Sequence, residues 1–380
     1  MGKVSFIKLN GVKNKLKKFF NNPKQYFYDG LQRFLNKRFS NAYKNCNKPA
    51  LYLYHFSYWK RDFLQDWYPN NSLEFLPFYL SEKKFLRVFA SKILKDSGDG
   101  FLIWGMNAPD YLLKFLLENN IPYYYVEDGF LRSKKLGIEY VAPASLIFDR
   151  TTLYFDATKE SDLEKMLLSY DFKEDTQLLK ASRALIDFLI EKGVSKYNQG
   201  INSGVDLIYG EKSQKRVLVL GQVEHDASIK YGCIEPITNQ QLLEVAITEN
   251  PNAQIIYKPH PDVLKKNKQF SSGSLANNIT ILTENIALSE AFKTIDHVYT
   301  ITSLSGLEAL MRDIKVTTLG CPFYSGWGLT DDRQINDRRD RQLSIEELVA
   351  VAYILYPKYF HPYMKEYTTA EKIAHFLYSC

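Results

Sequence analysis

Cysteine is scarce in this chain of 380 residues. There are four, Cys46, Cys233, Cys321 and Cys380, and no CxxC pair. That spacing argues against a disulfide framework and a structural zinc site, and it fits a reducing compartment. No apolar run reaches the roughly 18 residues that a bilayer crossing requires, which argues against an integral membrane protein. HExxH, GxSxG and Walker patterns are missing, and Asp331 and Asp332 are adjacent where a metal-binding DxD would be spaced. Any catalysis is therefore expected to be metal-independent. With 19 glycines and 14 prolines, collagen-like and low-complexity chains are ruled out, and 45% hydrophobic with 24% charged residues is a globular composition. A chain this long buries a core without covalent staples, as one large domain or two of ordinary size.

What the chain does have is an uneven charge. Residues 1–48 carry 12 Lys/Arg against one acid, Asp29, for a net +11. The other 332 residues carry 37 basic and 42 acidic groups, a net −5. A mildly acidic body with a basic arm points to a surface partner for the arm and away from a nucleic-acid-binding body.

Within the arm, Leu9, Val12, Leu16, Phe19 and Phe20 recur at helical spacing with Lys13, Lys15, Lys17 and Lys18 between them. Asn22-Pro23 reads as an N-cap and first helical position, opening a second helix with Phe27, Leu31 and Phe34 on one face. A signal peptide is a poor match, since a continuous apolar core and a small-residue cleavage site are both missing. Myristoylation fails because Phe6 stands where Ser or Thr is needed. Two readings stay open: a basic amphipathic pair on an anionic membrane surface, or a helical extension packed on its own domain.

The body alternates strands and helices. Strands are expected at Ala50–Phe56, Gly100–Trp104 and Ile121–Val126, with a helix from Pro109 to Glu118 and helical sequence over 160–192. A second series follows: strands at Arg216–Leu220, Gln254–Lys258, Ile279–Leu282, Val298–Thr300 and Lys315–Leu319, and helices at 238–250 and Ser305–Arg312. Residues 344–378 read as helical throughout. The alternation favours parallel, doubly wound sheets. The simplest architecture is α/β, with two Rossmann-like halves, a cleft between them and a C-terminal helical segment. The expected divisions are an arm (1–48), an N-terminal domain (49–195), a polar linker (196–214), a C-terminal domain (215–343) and terminal helices (344–380). Ligands are expected at the carboxyl ends of the strands.

Five polar clusters fall at such ends. In Glu127-Asp128-Gly129-Phe130-Leu131-Arg132-Ser133, two carboxylates follow a buried strand; one serves as base or ligand, or the segment is simply an Asp-Gly turn with a surface ion pair. The loop Gly221-Gln222-Val223-Glu224-His225-Asp226 offers Asp226 as nucleophile or base, or as a helix N-cap. In Lys258-Pro259-His260-Pro261, prolines fix the backbone around His260 beside a lysine, which suits a phosphate or a leaving group. Thr302-Ser303-Leu304-Ser305-Gly306-Leu307-Glu308 sets hydroxyls and a glycine at a strand-to-helix junction, for phosphate or as an ordinary capping box from Ser305 to Glu308. The loop Cys321-Pro322-Phe323-Tyr324-Ser325-Gly326-Trp327-Gly328 mixes aromatic residues and glycine, for a sugar or base face or as a packed inter-domain loop.

Taken in order, EDGFLRS, GQVEHDASI, YKPHPDV, TSLSGLEAL and CPFYSGWGLT, with the tail RRDRQLSIEELVAVAYILYPKYFHP, closely resemble the capsule polysaccharide β-Kdo glycosyltransferases of the KpsC type. The resemblance runs from about residue 50 to the C-terminus. It implies a GT-B-like fold and transfer of Kdo, an eight-carbon ketose acid, from CMP-Kdo with retention to a saccharide acceptor that is lipid-linked in this class. Asp226 is then the nucleophile, His260 stands by the CMP phosphate, and Ser303 and Ser305 bind that phosphate. Gln222, Lys258, Thr302, Gly306 and Glu308 complete the donor side. Glu127 or Asp128 is the acceptor-side base, with Arg132, Tyr324 and Trp327 on the acceptor. KpsC-type proteins usually carry two such modules where this chain has one, and His225 stands where an acidic residue is common.

The chemistry suits the residues. The carboxylate of Kdo destabilises the cation at its crowded anomeric carbon, so cations such as Lys258 and Arg132 would stabilise both that carboxylate and the departing CMP. Retention as two inversions needs a nucleophilic carboxylate and then a base. No cofactor beyond the donor is implied, and no nucleic acid. The arm is expected to hold the enzyme on the anionic inner face of the inner membrane as a cytoplasmic, peripheral protein. Two alternatives stand beside it: a teichoic-acid-type transferase using a CDP-polyol, whose HGT motif is missing here, and a non-catalytic capsule-assembly protein.

Overall fold

The computed structural model describes residues 48–96, 100–133, 140–196, 204–260, 279–284 and 286–379, together with residues 27, 30, 31, 34 and 35 of the arm, which are helical. The rest of the arm, the second proline of the KPHP motif and the segment after it lie outside the described residues. The chain is mixed α/β and divides into two compact units, Met1–Tyr123 and Tyr124–Cys380.

In the first unit, strands β1 (Ala50–Tyr54), β2 (Ser72–Phe75) and β3 (Phe101–Trp104) lie parallel in the order β3-β1-β2. Leu51 to Tyr54 are all buried, as a parallel strand covered on both faces requires. Tyr52 stacks on Phe101 of β3 with ring centroids 5.3 Å apart. Helices Lys60–Trp67 and Asp110–Glu118 follow β1 and β3.

The second unit begins with β4 (Tyr123–Asp128), whose first residue closes the preceding unit, and β5 (Ser145–Asp149), paired antiparallel to it. A parallel sheet follows, built from β6 (Arg216–Leu220), β7 (Gln254–Lys258), β8 (Ile279–Ile281), β9 (His297–Thr300), β10 (Lys315–Thr318) and β11 (Asp331–Asp332) in the order β11-β10-β9-β6-β7-β8. Side chains alternate across it. Leu218, Leu220, Ile256, Val298 and Val316 enter one apolar cluster, and Val217, Val219, Ile255, Tyr257 and Tyr299 the other. Because β7 and β8 lie on one side of β6 while β9 and β10 lie on the other, strand order reverses between β6 and β9. An open parallel sheet receives ligands outside that crevice, at the carboxyl ends.

Several expectations need correction. Residues 344–378 are not continuously helical: a helix at Ile345–Val349 and a π-turn give way to an antiparallel hairpin, β12 (Lys358–His361) and β13 (Glu366–Thr368), before the final helix Ala370–Ser379. Strand β12 pairs with β5. The helical sequence at 160–192 forms two helices, Asp162–Ser169 and Thr176–Lys192, each with a side-chain N-cap, Ser161 and Asp175. The polar stretch before β6 contains a helix, Val205–Tyr209, whose Val205 and Tyr209 enter the core. Arg216 ties that helix to the sheet by donating to Tyr209 O and Gly210 O at 3.1 and 2.6 Å.

Candidate active site

The site is assembled from the loops that leave β6, β7 and β9. At the end of β6, Gly221 leaves room for the Tyr257 ring of neighbouring β7, since a Cβ there would come within 2.9 Å of its Cζ. Gln222 is buried and fully used. Its N–H donates to Asn239 Oδ1 and its carbonyl accepts from Asn239 Nδ2, both at 2.8 Å. Its side-chain oxygen accepts from Thr302 N at 2.8 Å, and its amide nitrogen donates to Thr302 Oγ1 at 3.1 Å. Gln222 thus stitches the ends of β6 and β9 across the crevice.

Four residues on, Asp226 is exposed and caps the helix Ala227–Gly232, with Oδ1 accepting from Ser228 N at 2.8 Å. Its other oxygen has no hydrogen-bond partner among the described residues. The cap orients the carboxylate and leaves that oxygen to meet a ligand.

Lys258 and His260 follow β7. Lys258 Nζ donates to Ile286 O at 3.0 Å, and burial holds its ammonium below the usual lysine range. His260 is half-buried just beyond Pro259.

After β9, of the two readings of this junction, the capping box between Ser305 and Glu308 does not form. Leu304 is the N-cap and has no side-chain cap bond. Instead, Ser305 N donates to Ser303 Oγ at 3.2 Å, and Ser303 N donates to Thr300 Oγ1 at 3.3 Å. The carbonyl of Ser303 accepts from Gly306 N at 3.0 Å and from the Tyr324 hydroxyl. Gly306 is required here because a Cβ would strike that hydroxyl. Glu308 is buried on the inner side of the helix, so it does not present a carboxylate to a ligand. Burial, opposed by Arg312, pushes its carboxyl up to about 7, and its Oε2 has no hydrogen-bond partner among the described residues.

Tyr324 and Trp327 are fully buried, and Trp327 Nε1 donates to Phe323 O at 2.8 Å. Neither ring offers an open face to a sugar; they shape the loop. Arg132 is also buried, and its donors stay within the fold: Nε to Asp128 Oδ2 and Nη1 to Ser133 Oγ at 2.7 Å each, and Nη2 to Val141 O at 3.1 Å. It positions Asp128 and is not a surface cation. Glu127 is half-buried at the end of β4, and its Oε1 accepts from Asp128 N at 3.0 Å.

These contacts join all five clusters. Gly221 N donates to Lys258 O at 3.0 Å, Gln222 reaches Thr302, and Tyr324 reaches Ser303. Phe323, beside Tyr324, stacks on Phe130 of the EDGFLRS segment with centroids 4.9 Å apart. Sequence reasoning missed two supports. Asn239 gave no signal because its partner lies 17 residues away. Glu164 is buried and ion-paired with Arg338 at 2.6 Å and Arg339 at 3.2 Å, where the run of arginines was a signal available in the sequence. Arg339 also donates to Ser325 O at 2.8 Å, bracing the aromatic loop.

Comparison with known proteins gives the chain its relatives. Residues 99–359 match the model of a family described as capsule polysaccharide biosynthesis protein. The chain is 41% identical over 314 residues to the lipopolysaccharide-processing protein LpsZ of Rhizobium meliloti, covering 82% of this chain and 70% of that protein. It is 38% identical over 329 residues to the capsule polysaccharide modification protein LipA of Neisseria meningitidis serogroup A, covering 86% of this chain and 45% of LipA, so it spans less than half of that relative. Among solved structures, it is similar to the β-Kdo 2,4 transferase of Thermosulfurimonas dismutans KpsC, with a TM-score of 0.72, 29% identity, and 86% and 97% of the two chains covered. The corresponding β-Kdo 2,7 transferase gives a TM-score of 0.66, 32% identity, and 87% and 99% covered. The chain belongs to the family of capsule polysaccharide biosynthesis proteins.

Proposed function

We propose that this chain is a retaining β-Kdo transferase that moves Kdo from CMP-Kdo to a saccharide or glycolipid acceptor without a metal. The observation that carries the reading is the joining of five motifs around the β6/β9 crevice, in a chain similar along most of its length to two Kdo transferase structures. In this reading the fold is GT-B-like, with Rossmann-like lobes at 49–195 and 215–343.

The free oxygen of Asp226 attacks the anomeric carbon of Kdo, the bond to the CMP phosphate breaks, and CMP departs with its electron pair. His260 and the hydroxyls of Ser303 and Ser305 stabilise the departing phosphate, and Lys258 adds positive charge. Glu127 then takes the proton of an acceptor hydroxyl, whose oxygen displaces Asp226 and restores the starting configuration. Glu127 is preferred to Asp128 for this step because Arg132 holds Asp128.

In the same reading the basic arm holds the enzyme to the anionic inner face of the inner membrane. Two facts support this: the net +11 of residues 1–48, and the exposure of Phe27, Leu31 and Phe34, at 65%, 49% and 48%, at helical spacing.

Intact-mass spectrometry after incubation with CMP-Kdo and no acceptor tests the proposal. An adduct of one Kdo mass that is missing from an Asp226→Ala variant supports it. Unmodified protein, or an adduct that survives in the variant, overturns the mechanism.

A further inference from the structure

The first unit has a switch point of its own. Chain order runs from β1 to β2 on one side and returns to β3 on the other, so the crevice between the ends of β1 and β3 is where an open parallel sheet takes a ligand. A cavity of about 460 Å³ lies there, within the size range of small-molecule sites. Tyr54 and His55 line it from the end of β1, Phe78 and Tyr79 from the segment after β2, and Asn107 from the loop after β3.

The lining has the character of a recognition surface. His55 adopts a left-handed backbone, φ 66°, at the strand end, an uncommon conformation for a non-glycine residue that re-aims its ring out of the strand direction. Its ring packs on Phe78 with centroids 3.9 Å apart, and burial pushes its imidazole down to about 4, so the pair is an uncharged platform at neutral pH. Tyr79 stands beside Phe78, edge to face at 6.1 Å, and is 75% exposed. Asn107, a lining residue, has its amide fixed by Nδ2 donating to Trp104 O at 2.8 Å, and its Oδ1 is an acceptor by chemistry. Lys84 is the cation among the lining residues. No glycine-rich turn follows β1, where His55, Phe56 and Ser57 stand, so a phosphate cradle is not built here.

We propose that this cavity is a saccharide subsite in which a sugar ring lies against Tyr79 and the His55–Phe78 pair, with Asn107 on its hydroxyls and Lys84 on the carboxylate of an acidic sugar. Aromatic faces and a few fixed polar groups are the usual means of holding a sugar ring. The role of this sugar as the acceptor rests on the transferase reading; the binding itself does not.

The test is saturation-transfer NMR on the full chain with two probes, the methyl glycoside of Kdo and the methyl ester of the same glycoside, without donor. Tyr79 and Lys84 are both exposed, so their variants keep the fold. Tyr79→Ala is expected to weaken both probes roughly three- to tenfold. Lys84→Gln is expected to weaken the free acid and leave the ester as in the wild type. The inference is overturned if wild-type protein binds neither probe, if both variants match the wild type, or if added CMP displaces the sugar. The transferase reading is judged separately, by the Kdo-mass adduct, so the two failures are distinguishable.

Discussion

Gln222 and Thr302, 80 residues apart in sequence, are joined by two hydrogen bonds that use both polar atoms of the glutamine side chain. Substituting Gln222→Ala leaves Thr302 N–H buried without its acceptor. Stability should fall by about 2–4 kcal/mol in urea unfolding, and CMP affinity should fall with it as the ends of β6 and β9 part. A change within about 0.5 kcal/mol would mean the bridge does not hold the crevice.

Asp226 caps a helix, and in the proposed mechanism it is also the nucleophile, so the two roles can be separated. Asn caps a helix about as well as Asp, so Asp226→Asn should unfold within about 0.5 kcal/mol of the wild type, whereas Asp226→Ala should lose about 1 kcal/mol. Kdo transfer should drop by about three orders of magnitude or more in both, measured as CMP release with acceptor present. Near-normal turnover in the asparagine variant would remove Asp226 as nucleophile.

Glu308 makes stability depend on pH. Burial lifts its carboxyl from 4.5 to about 7, so between those values the folded chain keeps a proton that the unfolded chain gives up. The unfolded state then binds fewer protons, and this contribution to stability is full below pH 4.5 and is lost as pH rises through 7. The loss amounts to roughly 3 kcal/mol. Glu308→Gln is uncharged throughout, so the variant should gain on the wild type as pH rises over that window. Parallel stability profiles for the two proteins would show that Glu308 does not titrate there.

Removing residues 1–48 should weaken binding to anionic vesicles in flotation assays and leave activity on a soluble acceptor intact. Added salt should weaken the full chain in the same way, because the attraction is between a charged arm and a charged surface. Equal flotation of both forms would dismiss the arm as an anchor.

The parallel strands were legible because burial on both faces leaves apolar runs such as RVLVL and QIIYK, and the polar loops at their carboxyl ends were legible for the same reason. Strands β2 and β5 were not, since SLEF and SLIFD are short and carry charge. The hairpin after Leu355 was masked by a helical pattern running into it, although Pro357 and Pro362 stood ready to break that pattern. Side-chain direction was the harder loss. Arg132, Tyr324, Trp327 and Glu308 looked like ligand groups because cations, rings and acids at strand ends often are. Their partners, Asp128, Ser303 and Phe323, turn them inward, and Glu308 is turned inward without one for its Oε2.

The Phe130–Phe323 stack bears on how such enzymes can be recombined. A chimaera that takes the EDGFLRS segment from one homologue and the aromatic loop from another would have to rebuild this ring contact and the Tyr324 tether behind it. Both segments therefore travel best as a single cassette, and grafting one alone should cost soluble expression before it alters specificity.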